Sequence, residues 1–162
     1  MHGIGVFSKS LNIAYAANVT TAESYDNPTI NGCELLAIKK ALMFLEKAPP
    51  GKYEIVSDSK FALSAIQKGR STLPKLQFII TEIKQLLLKL AHSAFLIAFS
   101  KVKSHMWLDR EHSIGNAMAD MLAQFAATGQ LLSPCVSAHL PKQGEESPFL
   151  CASCQSITKL PM

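Results

Sequence analysis

The chain lacks a long uncharged hydrophobic run. Its most apolar stretch, Phe78 to Phe99, is interrupted by Glu82, Lys84 and Lys89, so no segment reads as a membrane span and no membrane partner is expected. The opening residues, MHGIGVFSKSLNIAYAA, have no basic n-region, and SKSLN breaks their apolar character, which argues against a secretory signal. Cysteine is sparse. Cys33 falls inside a helical pattern as a buried free thiol, and Cys135, Cys151 and Cys154 cluster near the end. No disulfide framework is implied, and a reducing, intracellular compartment is the expectation. What is present is 162 residues, 48% hydrophobic, with a net charge of +4. That is enough for one domain with a real core and a tail. The basic lean is compatible with a nucleic-acid partner without demanding one.

Along the chain, Gly3 to Lys9 and Leu11 to Val19 read as two strands of a hairpin. After the polar loop TTAESYDNP, apolar residues at Leu35, Ile38, Leu42 and Leu45 have helical spacing, and Pro49-Pro50-Gly51 ends that helix. YEIVS, from Tyr53 to Ser57, is a strand. Lys60 to Lys68 is a short helix with Phe61, Ala65 and Ile66 inward. Pro74 opens a long helix to about Ala91. FLIAFSKVKS is a strand, and Ile114 to Ala127 is a helix stopped by Gly129. The order β-β-α-β-α-α-β-α predicts an α/β fold, a mixed sheet flanked by helices. From Leu131 onward periodicity fades, so residues 1–129 are expected to form the domain and 130–162 a linker or the remnant of another module.

Three acids stand out by placement. Glu34 lies in the first turns of the first helix, Asp58 ends a strand, and Asp120 lies in the last helix within GNAMADMLA. Carboxylates repel when clustered and are tolerated chiefly with cations between them. Mg²⁺ takes hard oxygen ligands and suits an acidic cluster facing a phosphate. Two such ions can activate a water and stabilise a leaving oxygen in phosphodiester cleavage. Each acid also has an ordinary reading. Glu34 and Asp120 would favour their helix dipoles, and Asp58 would cap the helix that starts at Lys60. Spacing alone leaves these alternatives open.

Four segments in order, CELLAI, VSDSKFALSAI, KVKSH and GNAMADMLA, resemble the type 1 ribonuclease H family. They look most like the ribonuclease H domain of retroviral and endogenous-retroviral polymerases, because a long loop, MWLDREHSI, separates Ser104-His105 from Gly115-Asn116. The resemblance covers about residues 3 to 128. It implies an endonuclease that cuts the RNA strand of RNA/DNA hybrids with two Mg²⁺ ions, a polymerase domain or subunit being a further partner. Glu34, Asp58 and Asp120 would be metal ligands. His105 would assist proton transfer or product release, with His112 the alternative nearer Asp120. Asn31 matches a position that touches the minor groove of the hybrid, where the 2′-hydroxyl marks the RNA strand. Asn116 is expected to shape its turn. Lys60, Lys68, Arg70, Lys75, Lys101 and Lys103 would line the hybrid-binding face, or else form a solvated basic surface.

The family's fourth carboxylate, an Asp in a D-G-S sequence on the opening strand, has no counterpart before Gly3. In the family that strand lies mid-sheet, between the strands equivalent to Gly3–Lys9 and Tyr53–Ser57. Its loss would remove a metal ligand and leave two backbone ladders unpaired, at about 1–3 kcal/mol for each buried unsatisfied group against a total stability of about 5–15 kcal/mol. The expectation is therefore a fold with its first central strand missing: a fragment of a longer polymerase reading frame or a degenerate, poorly stable copy with impaired activity.

The tail holds one more candidate. Cys151-x-x-Cys154 is half a zinc site, and Cys135-x-x-x-His139 would complete a tetrahedral Zn²⁺ set. It is similar to the second half of the zinc module of an integrase, but its spacing is far shorter, so an unligated remnant is expected. Two further readings stand beside the nuclease: a non-catalytic nucleic-acid-binding remnant of a retroelement polymerase, and a zinc-binding interaction module in the tail.

Overall fold

The structure is a computed structural model that describes residues 2–19, 28–102, 111–128 and 149–156. Its elements are β1 (His2–Ser8), β2 (Ile13–Asn18), α1 (Ile30–Leu45), β3 (Lys52–Ser57), α2 (Lys60–Lys68), α3 (Pro74–His92), β4 (Leu96–Lys101), α4 (Glu111–Thr128) and β5 (Phe149–Ser156). The five strands form one sheet in the order β2-β1-β5-β3-β4. β1 is antiparallel to both β2 and β5, whereas β3 is parallel to both β4 and β5. The chain is thus a mixed α/β fold with helices on both faces of the sheet.

Local sequence accounts for the helix boundaries. Thr29 caps α1, its hydroxyl accepting from the backbone N–H of Gly32 at 3.1 Å. Pro74 stands at the start of α3, where its missing N–H costs nothing. Gly69 closes α2 in the left-handed conformation, at φ 70°, which glycine adopts without strain.

The strands of β1 and β3 alternate between two cores. On one face Ile4, Val6 and Ile55 pack with Leu35, Ile38 and Leu42 of α1 and with Ile80 and Ile83 of α3. On the other, Phe7 and Val56 meet Met118, Ala119 and Leu122 of α4. α4 lies very close to β1 because Gly3 and Gly5 present no side chain to it. A Cβ at Gly5 would run into the carbonyl oxygen of Ala119 and stand 2.8 Å from the nitrogen of Ala123.

Two expectations need correction. The central position of the sheet is not missing its strand. Phe149–Ser156, in the tail expected to be a linker or module remnant, runs between β1 and β3 as β5. It pairs with β1 at six positions and with β3 at three, and Cys151 is partnered by Phe7 on one side and Val56 on the other. The ladders that would have gone unsatisfied are therefore filled, and the reason given for poor stability does not hold for this sheet. The physical cause is the one that made the gap expensive: buried N–H and C=O groups on two facing strands demand a partner. Secondly, α4 begins at Glu111, not Ile114, so Gly115 and Asn116 lie inside a helix and not in a turn. Among the described residues no helix is long and apolar enough to cross a membrane.

Candidate active site

Asp58 follows the last residue of β3. The end of that strand is held by its neighbours: Ser57 is buried, its carbonyl accepts from the backbone N–H of Val102 at 3.1 Å, and its hydroxyl accepts from the N–H of Ser59 at 3.1 Å. Asp58 does not cap the helix that follows. Ser59 does, accepting from the N–H of Ala62 at 3.1 Å. The Asp58 carboxylate is left half-buried at the carboxyl end of a parallel strand, the location where open α/β sheets commonly bind ligands.

What reaches it is α4. The side-chain N–H of Asn116 donates to Asp58 Oδ2 at 3.4 Å, a long bond across 58 residues of sequence. Asn116 is 2% exposed, and its Oδ1 has no hydrogen-bond partner among the described residues. Asp120 stands four residues on, hence on the same helix face one turn later, and is 8% exposed. Glu34, also 8% exposed, is in the second turn of α1. Asn31 is exposed at the start of the same helix.

Two of the expected basic residues flank this corner. Lys60 opens α2 two residues after Asp58, and Lys101 is paired in register with Ser57, the residue before Asp58; both are exposed. Lys68, Arg70 and Lys75 are exposed around the α2–α3 connection. Lys103 and His105 lie outside the described residues, and His112 falls in the first turn of α4. Cys135 and His139 also lie outside them. Cys151 and Cys154 are strand positions of β5, and three residues of extended chain separate their Cα atoms by about 10 Å. Two cysteines closing on one zinc ion from a C-x-x-C need a turn instead, since each sulfur must lie about 2.3 Å from the metal.

The donor types suit Mg²⁺: the Asp58 carboxylate lies beside Asn116, whose buried amide oxygen has no hydrogen-bond partner among the described residues. Among the described residues, however, no three Asp, Glu, His or Cys side chains are grouped closely enough to hold an ion together. The strand beside β3 adds no further carboxylate. Glu54, Ile55 and Val56 pair with Phe149, Leu150 and Cys151. Carried on by two residues, that register sets Ser153 level with Asp58, and β5 (FLCASCQS) contains no acid.

Sequence reasoning missed two positions. The Asn116–Asp120 offset of four puts both on one helix face, but no local signal ties Asn116 to Asp58, 58 residues away. The placement of Ser153 had no local signal.

Comparison with known families gives a match to the ribonuclease H family model over residues 2–128, which takes in β1 to α4 and ends before β5. No curated protein and no solved structure matches the chain. Because the match spans well over half of the sequence, and the strand, helix and acid placements run in the order that prompted the resemblance, the chain belongs to the ribonuclease H family.

Proposed function

We propose that this chain binds RNA/DNA hybrids across the corner formed by the end of β3 and the face of α4, and hydrolyses the RNA strand with Mg²⁺. Ribonuclease H domains bind such hybrids generally. The observation that carries the reading to this corner is the Asn116–Asp58 hydrogen bond, because it ties the acid-bearing helix to the acid at the strand end. Glu34, Asp58 and Asp120 would hold the metal, which when bound polarises the phosphodiester and makes water a better nucleophile at neutral pH. Asn116 positions Asp58. Lys60 and Lys101 meet phosphates, so hybrid affinity should fall steeply with salt. Asn31 contacts the minor groove from the start of α1, and His105 serves proton transfer or product release. The long segment between His105 and Gly115 supports the retroelement-polymerase type, in which a polymerase domain or subunit also grips the hybrid.

Activity is proposed to be weak, because β5, the strand paired beside β3, contains no acid. That same observation supports the second reading, a hybrid-binding domain without cleavage. A hybrid-cleavage assay with Mg²⁺ separates the two. Slow cleavage of the RNA strand, abolished by Asp58→Asn and raised by Ser153→Asp, is the expected result. Tight hybrid binding with no cleavage by the parent or by Ser153→Asp would leave the binding role alone.

A further inference from the structure

β5 is set apart from the rest of the fold. The slot it fills is built by strands within residues 2–57, the family match ends at residue 128, and the filling strand arrives after residues 129–148. Those 20 intervening residues can span at most about 70 Å. The slot is two-sided. β5 is antiparallel to β1 along six pairs and parallel to β3 along three, and it contacts both α4 and α1. An entering strand is therefore paired on two edges and covered by helices, unlike a strand added to an open sheet edge.

The geometry points to a strand-acceptor site: the β1–β3 slot binds the segment Phe149–Ser156 as a separable extended ligand, delivered by the chain to itself. Strand addition draws its affinity from main-chain hydrogen bonds, so a peptide of the right direction and register is a sufficient ligand. The observed direction runs against β1 and along β3. The register pairs Cys151 with Phe7 on one side and Val56 on the other. It follows that the strand can be supplied in trans. This inference does not rest on the nuclease reading, and its test uses no activity.

The test is the full-length Ala152→Pro variant. Ala152 pairs with Val6 in the middle of the ladder, and proline there has no N–H to give and is excluded from central strands. The variant should lose the cooperative thermal transition of the parent. A synthetic peptide of residues 149–156 should bind it one to one and restore the transition, while the same peptide carrying Ala152→Pro should not. A variant that melts like the parent, or one that the native peptide fails to rescue, overturns the proposal. Amide hydrogen exchange on the unmodified full-length chain provides a reading that does not depend on the variant folding. Amides of Phe149–Ser156 should be slowed together with those of β1 and β3, whether the strand enters its own slot or that of a second copy. Exchange at the rate of an unstructured peptide would overturn the proposal as well.

Discussion

β1 and β5 run side by side at the centre of the sheet, paired from His2↔Ser156 to Phe7↔Cys151, yet they come to that place for different reasons. β1 is chosen by packing. Its Gly3 and Gly5 let α4 approach to backbone contact, while Ile4 and Val6 fill the opposite core. β5 comes from a stretch with weak periodicity and lies outside the family match. Its place is chosen by the backbone demand of the two strands on either side. A strand can thus be specified by what it packs against or by the hydrogen bonds its neighbours would otherwise lack, and only the first kind leaves a clear mark on its own residues.

The comparison can be broken from the β1 side. Gly5→Val adds a branched side chain where even a Cβ collides with the Ala119 carbonyl. It should cost about 3 kcal/mol, the upper end of the usual range for overpacking, in urea unfolding of the full-length chain. A cost near zero would mean that α4 does not lie on β1 as described. Next in size is Asn116→Ala, which probes the α4 end of the site. On the proposed reading of Asp58 as a metal ligand, losing the residue that positions it should cost about 10–100-fold in activity or metal affinity. Stability should change by less than about 1 kcal/mol, because the lost bond to Asp58 is long and the unsatisfied Oδ1 disappears with it. Equal losses in stability and cleavage would reduce Asn116 to a packing role. The smallest effect belongs to Ser59→Ala, which removes the α2 cap and should lower the melting midpoint by the equivalent of about 1 kcal/mol with hybrid cleavage retained. If cleavage fell as far as with Asp58→Asn, the division of labour between Ser59 and Asp58 would be wrong.

Much of this was legible in advance because it is local. The spacing of Leu35, Ile38, Leu42 and Leu45 marked α1, and all four are buried. YEIVS marked β3, and Pro74 marked the start of α3. The apolar period places the start of α4 three residues late, because Glu111 to Ser113 are polar and carry no such period. Asp58 had two readings that a strand-end position cannot separate; the hydroxyl of Ser59, one residue later, takes the capping role and leaves the carboxylate facing α4. Local sequence assigns Asn116 to a turn, because its partner is 58 residues away.

Residue order alone determined the helices, four of the five strands and the acids that mark the family, since each depends on side-chain periodicity or on capping within a few positions. The tertiary structure decided where the last strand goes and which groups meet at the corner. Backbone hydrogen-bonding capacity is the same for nearly every residue, so a segment that satisfies two distant strands need not advertise it in its own side chains.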